Sequence, residues 1–226
     1  MDRIFKKDMK SITGDFAIIV NEVPVNEVSD PSGKYQMWND GSTECEVGEY
    51  LYGLVRVLKP ENILETGCYK GWSSSYMGAA LKENKFGHLE TLEIEDQHIQ
   101  TSKIRWHNLD ISEFITATKI ESLKFQPQVE YELIFLDSEP QIRFQELVRF
   151  FPNLKEGGYV GIHDLPNSLC QGNFNPDHPE MKSYPYGDLP EEIKEWLRTD
   201  KLRMIHFPSP RGLTFLYKTK EGDYKF

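Results

Sequence analysis

Ile63-Leu64-Glu65-Thr66-Gly67-Cys68-Tyr69-Lys70-Gly71-Trp72-Ser73 is the stretch that decides the fold. Asn62–Glu65 reads as a short buried strand that breaks at Gly67, and Gly71 opens a helix over Trp72–Leu81 that is rich in small residues. A strand, a tight turn and a helix in that order make a ligand site at a strand C-terminus. Gly67 lets the backbone pass close to a ligand with no Cβ in the way. Gly71 permits tight packing of helix on strand, and Ser73 stands near the helix N-terminus, where free N–H groups and its hydroxyl hold a carboxylate. The spacing differs from Gly-x-Gly-x-x-Gly, the loop whose amides meet a pyrophosphate. Glu65 would repel a pyrophosphate and suits a cation; a tight turn carrying a solvated acid is the plainer alternative.

Working outward, short apolar runs alternate with amphipathic ones. Thr43 with Glu46 forms a capping box for a helix whose apolar residues are Leu51, Leu54, Val55 and Leu58, and Lys59-Pro60 ends it. Downstream, Leu89–Ile94 reads as a second strand and Lys103–Trp106 as a third, Ser112–Ile120 as a helix and Tyr131–Leu136 as a buried strand. Ile142–Leu154 reads as a helix, and Gly157-Gly158 turns the chain into a fifth strand, Tyr159–Ile162. A helix at Glu191–Leu197 precedes two strands, Leu202–Phe207 and Leu213–Lys218, joined by the turn Pro208-Ser209-Pro210-Arg211-Gly212. The expectation is one α/β domain over residues 1–226, a mostly parallel sheet with helices on both faces and an antiparallel C-terminal hairpin. Residues 1–40 form a partly irregular arm, and 165–190 a long loop rich in Pro, Asn, Gly and Tyr.

Composition narrows the function classes. A formal charge of −10 disfavours nucleic acid, since neutralising phosphates requires clustered Lys and Arg. No apolar run approaches the roughly 20 residues that cross a bilayer, and the charged start of the chain is not a signal peptide. Cys45, Cys68 and Cys170 form neither a metal-ligand pair nor an even disulfide framework, so free thiols in a cytoplasmic protein are expected.

Further acids stand where a nucleoside would lie. Glu93, near the end of the second strand, accepts both hydroxyls of a ribose, with Glu95 competing from the same side. In Asn108-Leu109-Asp110-Ile111-Ser112, Asp110 accepts from an adenine amino group while Ile111 covers the ring; an N-cap is the alternative for Asp110. S-adenosylmethionine, with its sulfonium and ammonium, is the cationic nucleoside these acids suit. Residues from about Thr43 to Asp164 resemble the class I S-adenosylmethionine-dependent methyltransferases, closest to the small-molecule O-methyltransferases of the catechol and caffeoyl-coenzyme A type. The cofactor loop with Cys68, Tyr69 and Ser73, and Thr-Leu-Glu-Ile-Glu with Glu93, carry that resemblance. It implies a Rossmann-like sheet of seven strands, S-adenosyl-L-methionine as cofactor and a small-molecule acceptor methylated at oxygen, with a homodimer kept open as the assembly.

The chemical site is expected at the next strand ends, Asp137 after Ile134-Phe135-Leu136 and His163-Asp164 after Val160-Gly161-Ile162. The family resembled has an acid at the first place and an Asp-Asn pair at the second, which together hold a divalent cation. Here His163 and Asp164 replace that pair, so Asp137, His163 and Asp164 are candidate ligands while metal dependence is in doubt. Without a metal, His163 is the leading general base; a hydrogen bond to backbone is its plain role. The loop at 165–190 offers His178, Tyr184 and Tyr186, with Phe174 and Met181, as a lid over the acceptor. Two other readings stand: a nicotinamide-dependent oxidoreductase on a similar sheet, and a catalytically silent cofactor-binding domain.

Overall fold

A computed structural model describes residues 12–28, 30–39, 41–165, 190–207, 209–220 and 222. Helix α1 (Ile12–Val20) and a two-stranded ribbon, β1 (Val25–Asn26) with β2 (Gln36–Met37), precede α2 (Cys45–Leu58). There follow β3 (Asn62–Thr66), α3 (Trp72–Asn84), β4 (His88–Glu93), α4 (Asp96–Asn108), β5 (Ile115–Lys119), β6 (Tyr131–Leu136), α5 (Arg143–Phe150) and β7 (Leu154–His163). Helix α6 (Glu191–Arg198), β8 (Leu202–Phe207) and β9 (Leu213–Lys218) complete the described chain.

Seven strands join one sheet in the order β5-β4-β3-β6-β7-β9-β8. The first five are parallel; β9 enters antiparallel between β7 and β8, as the C-terminal hairpin anticipates. The apolar run Leu133-Ile134-Phe135-Leu136 is fully buried because β6 lies at the sheet centre with both faces covered. Strand alternation divides the core. Ile63, Leu133 and Phe135 pack with Leu51, Val55, Tyr76 and Met77 of α2 and α3. Leu64, Ile134 and Leu136 pack with Phe144, Leu147 and Phe150 of α5.

Several expectations are corrected. Lys103–Trp106 is not a strand but the last turns of α4, whose buried Ile99, Ser102, Arg105 and Trp106 recur at helical spacing. The third parallel strand is Ile115–Lys119, which pairs in register with Leu89–Glu93, where a helix over Ser112–Ile120 was expected; only Ser112–Phe114 makes a helical turn. The capping box is absent: Glu44 is the N-cap of α2 with no side-chain cap bond, and Glu46 accepts the Gln36 N–H at 3.1 Å. The expected long helix over Ile142–Leu154 contracts to α5, bracketed by 3-10 turns at Pro140–Ile142 and Phe151–Asn153. Gly157-Gly158 lies inside β7, where the register against β6 shifts. The expected lid residues His178, Tyr184, Tyr186, Phe174 and Met181, and Cys170, lie outside the described residues. No helix among the described residues is long and apolar enough to cross a membrane.

Candidate active site

The C-terminal ends of all five parallel strands open onto one cleft of about 590 Å³. Gly67 follows β3, Glu93 ends β4, Ser122 follows β5, Asp137 follows β6 and Asp164 follows β7, and each lines it. The strand ends are tied to each other by backbone: Gly67 donates to the Leu92 carbonyl at 2.9 Å, and Asp137 to the Thr66 carbonyl at 3.0 Å. That closeness explains Gly67. It has φ +77°, and a Cβ there would lie 2.5 Å from the Asp137 carbonyl oxygen. Gly71 (φ +80°) is held instead by α4, since its Cβ would lie 2.7 Å from Ser102 Oγ.

Glu93 is nearly buried at the cleft wall. Its Oε2 accepts the Tyr69 N–H at 2.8 Å, and its Oε1 accepts those of Ile94 and Glu95 at 2.8 and 3.0 Å. Two carboxylate oxygens offer about four acceptor sites, so Glu93 is fixed by backbone and keeps capacity for a ligand hydroxyl. Cys68, Tyr69, Ser73 and Glu95 also line the cleft. Tyr69 is held at φ +44°, unusual for a side chain of its size. Cys68 is buried, and burial pushes its thiol pKa up, so it packs rather than reacts.

Several expected residues stand elsewhere. Glu65 does not reach the cleft wall: its carboxyl group is fully buried behind the loop, taking the Ser73 hydroxyl at 2.5 Å and the Thr91 hydroxyl at 2.6 Å. Burial pushes its pKa up to about 7, against those hydroxyl bonds and with help from the Asp137 charge. The shift of the third strand displaces Asp110 and Ile111 altogether. They precede β5 and so lie at the end of that strand away from the cleft. Asp110 is exposed and pairs with Lys82 at 2.8 Å, while Ile111 is buried in the core. Ile120, Glu121, Ser122 and Leu123 take their place at the cleft, and placing β5 correctly would have found them.

Behind the Asp137 and Asp164 end of the cleft lies a buried charge network. His163, the last residue of β7, is 1% exposed; its Nδ1 faces Asp137 Oδ1 at 3.0 Å and its Nε2 faces Glu44 Oε2 at 2.7 Å. Burial pulls the His163 pKa down, but the Asp164 and Asp137 charges and the bonds to Asp137 and Glu44 outweigh it and raise it to about 10. For Glu44, burial pushes upward, yet the bond to and charge of His163, with the Arg211 charge, bring it to about 2. Arg143 of α5 donates Nη2 to Asp137 Oδ1 and to Asp164 Oδ2, both at 3.1 Å, Nε to the Ser138 carbonyl at 2.9 Å, and Nη1 to the His163 carbonyl. Arg211, between β8 and β9, pairs with Asp164 Oδ1 at 3.4 Å and with Glu44 Oε2 at 3.3 Å. Burial raises the Asp164 pKa, but the charges of His163, Arg143 and Arg211 hold it below the usual carboxylate range.

One turn along α5, Glu146 is fully buried and takes the hydroxyls of Thr66 (3.0 Å), Ser138 (2.7 Å) and Ser122. A single carboxyl group thus joins the last residue of β3 to the segments that follow β5 and β6. Asp137, His163 and Asp164 each offer a ligand atom within 4.8 Å of the others, so the expected trio is gathered. Only Asp137 and Asp164 of the three line the cleft.

Comparison with known proteins agrees with this geometry. Residues 64–165, which span the loop, Glu93, Asp137 and His163-Asp164, match the family model described as "Methyltransferase domain". This chain carries a methyltransferase domain. The methyltransferase is similar to caffeoyl-CoA O-methyltransferase 2 of Petunia hybrida, 24% identical over 206 residues that cover 84% of this chain and 81% of that one. It is also similar to caffeoyl-CoA O-methyltransferase 1 of Arabidopsis thaliana, 24% identical over 78% of this chain and 71% of that one. Among solved structures it shares its fold with the Bacillus cereus O-methyltransferase in complex with SAH, at a TM-score of 0.66 and 13% identity over 96% of this chain and 94% of that one. It shares it likewise with the O-methyltransferase TomG of Streptomyces achromogenes in complex with SAM, at a TM-score of 0.64 and 17% identity over 96% and 93%.

Proposed function

We propose that this methyltransferase binds S-adenosylmethionine between Gly67 and Glu93 and methylates an oxygen of a small molecule held against Asp137 and Asp164. The observation that carries the reading is the convergence of five strand ends on one cleft, with a backbone-anchored carboxylate, Glu93, on one wall. The cleft also fits the group in size and charge. Its 590 Å³ falls in the range of about 300–1,000 Å³ usual for small-ligand sites. It is lined by Glu93, Glu95, Glu121, Asp137, Glu139 and Asp164 against Lys70, Arg143 and Arg211, an excess of acids that favours a cationic nucleoside over a dinucleotide pyrophosphate.

When bound, S-adenosylmethionine supplies a methyl group on a positively charged sulfur. The chain's task is to position the acceptor oxygen and take its proton. Asp137 and Asp164 line the cleft and are placed for that transfer, with the Arg143 guanidinium behind them pairing with both. His163 holds those carboxylates from behind; with both ring nitrogens facing carboxylates and its ring buried, it acts as a positioning residue and not as the base. The buried thiols of Cys45 and Cys68, neither in a disulfide, suit the reducing cytoplasm.

Calorimetric titration with S-adenosylhomocysteine tests the reading. The wild-type protein binds it, and Glu93→Ala weakens binding by about 1–3 kcal/mol, the scale of a hydrogen bond to a charged group. Protection of the wild type against thermal unfolding by NADH, with none from S-adenosylhomocysteine, would overturn the assignment in favour of an oxidoreductase.

A further inference from the structure

We propose that Arg143 stands in place of a divalent cation in this methyltransferase, holding Asp137 and Asp164 by its guanidinium so that the acceptor meets two protein carboxylates and no metal ion. This rests on the reading of the cleft as the methyl-transfer site and adds how its acceptor end is organised.

The gathered trio does not fit an ion. A histidine ligates through a ring nitrogen lone pair. In His163, one nitrogen lies 3.0 Å from Asp137 Oδ1 and the other 2.7 Å from Glu44 Oε2. Carboxylates only accept, so both nitrogens carry protons and donate, and neither has a lone pair to give. The carboxylates are similarly engaged. One nitrogen of Arg143 bridges Asp137 Oδ1 and Asp164 Oδ2 at 3.1 Å each, which is the bridging task an ion would perform between two acids. Arg211 stands 3.4 Å from Asp164 Oδ1. An ion between Asp137 and Asp164 would meet the Arg143 guanidinium at contact distance, where two positive charges repel strongly in a buried setting.

Arg143 is built into its place. Its side chain is 3% exposed, and the carbonyls of Ser138 and His163 hold the guanidinium from the β6 and β7 ends. A planar fork with several donors can bind two carboxylates and two carbonyls together, which a lysine could not. The pairing also has a sequence basis, since Arg143 is the first residue of α5 and its cleft-facing position follows from the helix start after Pro140. The two carboxylates are thereby held in fixed positions at the cleft surface.

The test uses the full chain stripped of metal by chelator, with Mn²⁺ alone as probe. Free Mn²⁺ is followed by electron paramagnetic resonance in wild type, Arg143→Gln and Asp137→Asn, with S-adenosylhomocysteine affinity measured beside it. Wild type that leaves Mn²⁺ free and binds S-adenosylhomocysteine equally with and without chelator, together with R143Q that takes up one equivalent of Mn²⁺, is the expected result. Stoichiometric Mn²⁺ uptake by wild type that is lost in D137N would overturn the proposal whether or not R143Q folds. So would R143Q that folds, keeps its S-adenosylhomocysteine affinity and takes up no Mn²⁺. Failure of the wild type to bind S-adenosylhomocysteine is a separate result, one that removes the methyl-transfer reading and leaves the metal measurement standing.

Discussion

Replacing Glu65 by glutamine should make the protein more stable at alkaline pH while changing little in acid. Glu65 is fully buried in β3, and its two oxygens take the Ser73 and Thr91 hydroxyls at 2.5 and 2.6 Å. Burial is the main reason its carboxyl group titrates near 7 in place of 4.5; the nearby Asp137 charge adds to that and the two hydroxyls oppose it. Between these two values the folded chain keeps a proton that the unfolded chain has released. Stability contributed by the neutral acid is therefore complete below pH 4.5 and is lost as pH rises through about 7. At about 1.4 kcal/mol for each tenfold change, the gap corresponds to about 3 kcal/mol. Glutamine has the shape and donor-acceptor pattern of the protonated acid and never ionises, so this dependence vanishes in the variant. Urea unfolding of both proteins at about pH 5, 7 and 8.5 isolates the effect, because other groups titrate alike in the two and cancel in the difference. The variant's advantage should grow by about 2.5 kcal/mol across that series, because a little of it is already present at pH 5. Parallel pH profiles would refute the reasoning, since they would mean that Glu65 ionises as easily folded as unfolded.

Glu146→Leu strands the Thr66, Ser122 and Ser138 hydroxyls, each at about 1–3 kcal/mol, so its urea midpoint should fall far below that of Glu146→Gln, which keeps an acceptor; equal midpoints would deny the role of the carboxyl group. Gly67→Ala places a Cβ 2.5 Å from the Asp137 carbonyl at φ +77° and should cost at least about 2 kcal/mol while weakening S-adenosylhomocysteine binding; a fully stable variant would count against the tight apposition of β3 and β6. Asp110→Ala should leave calorimetric affinity for S-adenosylhomocysteine unchanged, because the residue precedes β5 at the end away from the cleft, and should change the urea midpoint little, as loss of an exposed ion pair does. A large loss of affinity would return Asp110 to the cofactor.

Tyr131–Leu136, Leu202–Phe207 and Leu213–Lys218 are legible to the residue, because each is an apolar or alternating run bounded by charged or turn residues. The segment from Lys103 to Ile120 is not. Lys103-Ile104-Arg105-Trp106 alternates for four residues, a window too short to separate the two periods, and only the longer reach from Ile99 to Trp106 shows the helical one. That one error moved the end of β5 and took Asp110 and Ile111 with it, hiding Glu121 and Ser122. Glu44, Arg143, Glu146 and Arg211 were hidden for another reason. A charged residue on a helix or in a turn is read as solvated unless its partners are known, and their partners come from other elements. A trace of the signal does exist: Arg143, Phe144, Glu146, Leu147 and Phe150 are the buried positions of α5 and lie at i, i+1, i+3, i+4 and i+7, so two charges sit within a single apolar stripe.

The cost of that stripe is the strongest argument that it serves the chemistry. Taking charges out of water is expensive, and a buried ion network is often no better for stability than apolar residues of the same volume. Around the acceptor end, Glu44, Asp137 and Asp164 are matched by His163, Arg143 and Arg211, a balance that neutralises the interior without driving folding. A core selected only for stability would fill this space with side chains like those of the neighbouring Phe144 and Leu147. What the ions supply is placement. Asp164 is held at φ +60°, in the left-handed region that Asp enters more readily than most side chains, and two arginines pair with it there at the cleft. Helix α5 sets both halves of the arrangement from one turn, Arg143 fixing the Asp137 and Asp164 carboxylates at the cleft and Glu146 fixing the strand ends that shape the rest of the wall. Electrostatic catalysis depends on dipoles and charges being in position before the reaction begins, and a rigid helix packed on the sheet by Phe144, Leu147 and Phe150 is the element of this fold able to hold them so.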